Sequence, residues 1–276
     1  SKLEKLKQAT TLHGLAVLLG FKPKALSYIL YKKNPAEKYR QFEIPKKTGG
    51  MRTINAPCVE LMNLQRRLAD LLQECITEIN AERKVHSALS HGFRPKFSIY
   101  TNAFVHRNRR YVLNLDLENF FGTINFGRVR GFFITNKHFS LEPKVATLIA
   151  QIACFDNVLP QGSPCSPVIS NLIGHLLDIR LAALANKHGC SYSRYADDIT
   201  FSTNKPIFPI EIAQKEHEEL TIGILDHPFL NDRKGGIYHQ FGKNTDAIRG
   251  ITPGSDGPNR LLKYRPANAD GGMERS

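Results

Sequence analysis

The sequence predicts an α+β chain built on antiparallel strands. Three observations carry that class. Strand-like and helical runs alternate without the repeated strand–helix–strand spacing of a parallel sheet. Two short turns, at Gly49-Gly50 and at Ala196-Asp197, each join strand-like runs near enough to pair as hairpins. A hydrophobic fraction of 41% over 276 residues is enough for one large domain or two smaller ones.

The elements follow in order. Residues 3–19 place Leu3, Leu6, Leu12, Leu15, Ala16, Leu18 and Leu19 roughly on one helical face, and Gly20 and Pro23 stop that helix. A short helix restarts from Lys24 to Lys33. The pair reads as a packing cap or as a helix–turn–helix. Tyr39 to Ile44 and Met51 to Asn55 read as strands around Lys47-Thr48-Gly49-Gly50. A long helix from about Glu60 to Ile79 carries Leu61, Leu64, Leu68, Leu71, Leu72 and Cys75 on one face. Tyr111 to Leu115 is a strand, and helices are expected near 126–135, 143–154 and 167–187. Ser191-Tyr192-Ser193-Arg194 and Ile199-Thr200-Phe201-Ser202 flank an acidic hairpin tip. A helix near 210–224 and strands near 236–241 and 246–251 complete the pattern. The tail from Thr252 is rich in Gly, Pro, Asn and Asp.

Charge narrows the partners. Lys+Arg 38 against Asp+Glu 25 gives +13, a field that favours polyanions. No run approaches the roughly 20 apolar residues of a spanning helix, and the first helix lacks the features of a signal peptide. The five cysteines, Cys58, Cys75, Cys154, Cys165 and Cys190, are scattered and form no CxxC pair. That pattern argues against a disulfide framework and a zinc site and for a reducing compartment. The expectation is a cytoplasmic protein with no membrane partner that binds nucleic acid.

The chemistry concentrates in a few segments. Asp197 and Asp198 sit at a hairpin tip, and Asp116 ends another strand. Carboxylates converging from two strands make an oxygen-only site suited to Mg²⁺, with Mn²⁺ as a substitute. Two such ions can clamp the attacking and leaving oxygens of an in-line phosphoryl displacement. Acidic pairs at turns are also common on solvated surfaces. The order Asp116, Gln161 loop, Asp197-Asp198 is what makes chance unattractive. After Asp116, the Leu117 carbonyl would bind the ion that carries a triphosphate. Backbone N–H groups from Asn119 to Phe121 would cradle phosphates. Phe121, five residues past the aspartate, would lie against the sugar and exclude a 2′-hydroxyl, with Phe120 in the core; the plainer alternative is that both rings pack inside.

Leu159-Pro160-Gln161-Gly162-Ser163-Pro164-Cys165-Ser166-Pro167 reads as a nucleotide loop. Gly162 allows close backbone approach, Gln161 would bond the incoming nucleotide, and Ser166 would cap the following helix. Its bland alternative is a loop that merely starts a helix. Tyr195 would pack under the end of a primer, or be a half-buried strand aromatic. Lys46, Lys47 and Arg52 lie on the first hairpin, where they would reach a triphosphate or simply stay solvated. Lys234 would neutralise a pyrophosphate leaving group, or be a surface turn charge.

These segments resemble reverse transcriptases of the bacterial retron type, over about Tyr39 to Gly250. The first hairpin, Ile44-Pro45-Lys46-Lys47-Thr48-Gly49-Gly50-Met51-Arg52, fits that group. So do Ser90-His91-Gly92-Phe93-Arg94, Ser98-Ile99 and the NAxxH element Asn102-Ala103-Phe104-Val105-His106, which is the most discriminating piece. The resemblance implies an RNA-directed DNA polymerase with a right-hand fold. An N-terminal helical segment (1–35) would precede fingers (36–110), a palm (111–251) and a tail or incipient thumb (252–276). It implies two Mg²⁺ ions, dNTP substrates, and a structured non-coding RNA as template and primer with its DNA product. It also implies synthesis from an internal guanosine 2′-hydroxyl, a branched product, and an effector protein in phage defence. Asn102, His106 and Arg249 would then be RNA contacts. Two departures stand out. The family's VTG element reads Ile248-Arg249-Gly250, and no helical thumb follows, so the thumb is expected to be absent, truncated or on another chain. The alternatives are a group II intron or diversity-generating enzyme, or a palm-fold scaffold for RNA or an effector; three intact aspartates speak against a scaffold.

Overall fold

Thr11 decides how the chain begins. In a computed structural model, which describes residues 1–46, 50–83, 88–117, 119–209, 212–216 and 219–222, the single helix expected over 3–19 is two. These are α1 (Lys2–Gln8) and α2 (Leu12–Leu18). Ala9 turns extended, and the Thr11 side chain accepts from the Gly14 N–H at 3.2 Å. A β-branched hydroxyl residue gains more as a cap than in a helix interior, and that preference beats the continuous leucine pattern. Leu3, Leu6, Leu15, Ala16 and Leu19 are buried all the same.

The chain divides into two units. The first comprises Ser1–Ala88 and Asn119–Gly174, and the second Leu89–Glu118 with the chain from His175. In the first unit the Lys2 and Leu3 N–H groups donate to the Glu78 carboxylate at 2.8 and 3.0 Å, which seats α1 as a packing cap. Helix α3 (Pro23–Ser27) runs into a π-helical turn over Tyr28–Lys32, and α4 (Pro35–Lys38) is capped by Asn34. Strands β1 (Tyr39–Pro45) and β2 (Met51–Pro57) pair antiparallel, from Tyr39 opposite Pro57 to Pro45 opposite Met51. Gly50 has φ +79, the left-handed conformation such a turn needs.

Helix α5 (Val59–Glu82) buries the six residues its periodicity singled out, and Gln65 with them. The Gln65 amide donates to the Tyr39 hydroxyl (2.7 Å) and to the Ile152 carbonyl (2.9 Å). One buried amide thereby ties the first strand to α9 (Pro143–Ala153). Between them lie α7 (Phe120–Thr123) and α8 (Phe126–Thr135), and Phe132, Phe133 and Phe139 form a core of edge-to-face rings.

The second unit is built on a three-stranded antiparallel sheet of β3 (Tyr111–Asp116), β4 (Ser191–Tyr195) and β5 (Asp198–Thr203), in the order β3-β5-β4. Helix α6 (Ile99–Val105) lies against β4. The helix expected near 210–224 is not formed: β6 (Ala213–Glu216) and β7 (Glu219–Ile222) pair antiparallel instead. Thr221 and Ile222 are β-branched, and the glutamates at 216, 218 and 219 would crowd one stretch of helix with like charge. The strands expected near 236–241 and 246–251, and the tail from Thr252, lie outside the described residues.

Helix α10 (Ser166–Lys187) links the two units along the chain. Contrary to the expectation that no run is apolar enough, it has the length and composition of a membrane span. A core helix passes the same test. Half of its most apolar window is buried, and Asp178 near its middle is fully buried in an ion pair with Arg194.

Candidate active site

The carboxylates are placed by strand register. Asp198 opens β5, and it is the cross-strand partner of Asp116 on β3 and of Tyr195 on β4. Cross-strand partners share a face of the sheet, so Tyr195, Asp198 and Asp116 form one row across three strands. Asp198, the middle of the row, is exposed while the rest of β5 is buried, so that strand opens to solvent only at its first residue. Asp197 occupies the turn, and its carbonyl accepts from the Leu117 N–H at 3.0 Å. Asp116, Leu117, Asp197 and Asp198 thus lie together at one end of one small sheet.

The turn is held from below. Ala196 has φ +58, a left-handed backbone rare for a residue with a β-carbon. Arg194 is fully buried, and one of its amino groups donates to the Ala196 carbonyl at 2.7 Å. Its other nitrogens grip Asp178 as a fork: Nε to Oδ1 at 2.7 Å and Nη2 to Oδ2 at 2.8 Å. The Tyr192 hydroxyl also donates to Asp178, at 2.7 Å. Burial, with the Asp178 carboxylate beside it, raises the Tyr192 hydroxyl well above its ordinary pKa. Burial alone would lower Arg194, but Asp178 more than offsets it. Leu89 and His91 bond the Arg194 backbone on its free side, each at 2.8 Å. A β-carbon on Gly92 would stand 2.4 Å from the Ala196 nitrogen, so only glycine lets that segment lie so close. The sequence reading passed over Asp178 and Arg194. The available signal was an acid, Asp178, in the middle of an otherwise apolar helix.

Asn102 and His106, read as RNA contacts, have a different task. Both are buried. His106 Nδ1 and Nε2 lie 2.7 Å from the hydroxyls of Ser202 and Ser193, and Ser193 donates to Asn102 Oδ1 at 2.7 Å. With both ring nitrogens engaged, the pair pins α6 to β4 and β5. Burial first, then Arg109 and His91, lower the His106 pKa to about 4, so it is neutral at physiological pH.

The segments expected to bind the nucleotide belong to the first unit. The Gln161 carbonyl accepts from the Asn55 N–H at 2.7 Å, which ties the loop to β2. Gly162 has φ +114, and a β-carbon there would stand 2.7 Å from the Asn55 carbonyl oxygen. Gln161 is half-buried, while Lys46 and Arg52 are exposed on the hairpin. Ser166, expected as a cap, is the first helical residue, and its hydroxyl donates to the Pro160 carbonyl at 2.8 Å. Cys165 is fully buried, and burial pushes its thiol up to about 12, so its part is packing. Asn119 starts α7 in a left-handed conformation (φ +48). Phe120 is in the core at 4% exposure, as expected, and Phe121 is half-buried. Lys47, Lys234 and Arg249 lie outside the described residues.

Among the described residues, no three His, Cys, Asp or Glu side chains already stand as a metal cage. Magnesium is ordinarily held by one or two carboxylates, with substrate phosphates and water completing its shell. The all-oxygen donors at the sheet edge fit that ion.

Comparison with known proteins supplies the family. The model of the reverse transcriptase (RNA-dependent DNA polymerase) family matches residues 44–219, a span that holds all three aspartates and Gln161. The retron Mx65 reverse transcriptase of Myxococcus xanthus is 37% identical over 179 residues, covering 59% of this chain and 40% of the relative. The retron Mx162 enzyme of the same organism is 32% identical over 220 residues, covering 72% and 43%. The retron Ec86 reverse transcriptase of Escherichia coli is 36% identical over 167 residues, covering 60% and 49%. The chain spans a little under half the length of these relatives. The chain belongs to the reverse transcriptase family, and its likeness within that family is to the bacterial retron type.

Proposed function

We propose that this chain carries the catalytic centre of an RNA-directed DNA polymerase. The observation that carries the reading is the register pairing of Asp116 with Asp198, with Asp197 tied to Leu117, inside the span that matches the family. In this reading the three-stranded sheet is the palm, the β1–β2 hairpin belongs to the fingers, and the boundaries at 35, 110 and 251 divide the chain. Bound at the carboxylates, two Mg²⁺ ions would activate the attacking hydroxyl and neutralise charge on the leaving pyrophosphate. The protein's own groups orient the reactants. Asp116, Asp197 and Asp198 would hold the ions, and the Leu117 carbonyl would add an oxygen. Lys46 and Arg52 draw the triphosphate of the dNTP, and the turn at Asn119 and Phe120 lies along its phosphates. Gln161 and Gly162 border the nucleotide, Phe121 lies against its sugar, and Tyr195, in the aspartate row, supports the primer end. Lys234 neutralises the leaving group.

The finer reading is retron-type synthesis in the cytoplasm. A structured non-coding RNA serves as template and primer, its internal guanosine 2′-hydroxyl starts the DNA strand, and an effector protein joins the product in phage defence. The likeness to retron enzymes and the Asn102–His106 element support it. Primer extension tests the core of the reading. Asp197→Asn should lose at least about a hundredfold in rate, since a metal ligand that stabilises transition-state charge is removed, while RNA affinity and the unfolding midpoint stay near wild type. Extension by Asp197→Asn within a few-fold of wild type overturns it. Sequencing the nucleic acid that co-purifies tests the retron part; DNA joined to RNA through a 2′-branch is the expected result.

A further inference from the structure

We propose that the outward face of α6 is a stacking platform for an unpaired segment of RNA, an inference that rests on the polymerase reading for the identity of its ligand. The helix is amphipathic the wrong way round. Its polar residues Asn102 and the C-capping His106 face inward and are spent on Ser193 and Ser202. Its apolar residues face solvent: Ile99 is 60% exposed, Tyr100 82% and Phe104 65%. Burying aromatic rings is the ordinary source of helix docking, and leaving them out marks a surface that something else covers.

Two features say what covers it. The first is charge. From Leu89 to Leu115 the chain carries Arg94, Lys96, Arg107, Arg109 and Arg110 and not one Asp or Glu. Lys96, Arg107 and Arg110 are exposed, and the Arg107 guanidinium lies 4.6 Å from the Phe104 ring centre. Exposed aromatic rings set among cations are the means by which proteins hold single strands: bases stack on rings and guanidinium planes, and phosphates meet the charges. The second is size. Three exposed apolar side chains, at roughly 150–250 Å² each, fall short of the ~800 Å² per partner of a stable protein interface. They suffice for one or two bases. Tyr100 and Phe104 are four residues apart on one helix face, about 6 Å along its axis, so each ring can take its own splayed base. The helix is a rigid support: Ser98 and Thr101 close a reciprocal capping box at its start, and the Asn102 and His106 bonds fix its inner side.

The chain contains no tryptophan, which gives a direct probe. Tyr100→Trp introduces a single emitter on the proposed platform, and Val59→Trp, at a position 65% exposed in the other unit, is its control. Titration with a 20-nucleotide single-stranded oligo(U) RNA should quench Tyr100→Trp and leave Val59→Trp little changed. In anisotropy with the same RNA labelled, Tyr100→Ala/Phe104→Ala should bind at least about tenfold more weakly with an unaltered salt slope. Arg107→Gln should flatten the slope by about 0.7. Absence of quenching at saturating RNA, or an affinity of Tyr100→Ala/Phe104→Ala within twofold of wild type, overturns the proposal. So does a loss of self-association by that variant in sedimentation with RNA affinity intact, which would make the face a protein interface. Primer extension by Asp197→Asn judges the polymerase reading separately, so the two can fail independently.

Discussion

Replacing Arg194 with methionine should be among the most damaging single changes in the second unit. The guanidinium donates twice to Asp178 and once to the Ala196 carbonyl, at 2.7 to 2.8 Å. Arg194→Met leaves the fully buried Asp178 carboxylate with the Tyr192 hydroxyl, and with His175 at 3.9 Å, but without its two arginine bonds. Breaking a buried pair from one side costs about 3–5 kcal/mol, because the remaining charge has neither water nor its counter-ion. Removing the charge as well should return part of that. In Arg194→Met/Asp178→Leu the buried charge is gone, and what remains is the Ala196 carbonyl without its donor, as in the single variant, and the Tyr192 hydroxyl without its acceptor, about 1–3 kcal/mol each. The double variant should therefore be about 2 kcal/mol more stable than the single one. Guanidinium unfolding followed by circular dichroism measures both, and domain stabilities of roughly 5–15 kcal/mol leave room to see it. A loss below about 1 kcal/mol in Arg194→Met, or a double variant no better than the single, refutes the reasoning. Arg194→Lys keeps the charge but not the fork, so it should retain the fold better than methionine and still slow primer extension through a looser Ala196-Asp197 turn.

Two further outcomes follow from particular residues. Because the folded protein holds His106 neutral down to about pH 4 while an unfolded chain protonates it near 6.5, its stabilising effect is whole above pH 6.5 and is lost as pH falls toward 4. That window corresponds to about 3 kcal/mol; unfolding curves at pH 7, 5.5 and 4.5 should show His106→Gln losing less with acid than wild type, and equal losses would count against it. Phe121→Ala should raise ribonucleotide relative to deoxyribonucleotide use, read as the ratio of kcat/KM values; a shift in Phe120→Ala alone would move the sugar contact to the other ring.

What could be read along the chain was whatever neighbouring residues decide among themselves. The leucines of α5 repeat at helical spacing and are all inside. The hairpins are bounded by their turns, and alternate positions along the strands put Asp116 and Asp198 at adjoining ends. Local competition was already harder: Thr11 broke a continuous leucine stripe, and residues 213–216 and 219–222 chose strands over a helix. Partners far apart in sequence could not be read at all. Asn102 and His106 were expected to be RNA contacts only through the family resemblance, and only the sheet brought Ser193 and Ser202 to them from about 90 residues away. Asp178 is an acid within an apolar helix, and only folding sets its partner Arg194 beside it. The periodicity of a backbone element is a local property, so sequence determines it. The partner of a buried charge or imidazole is chosen by whichever distant strand desolvates it, and tertiary structure alone decides that.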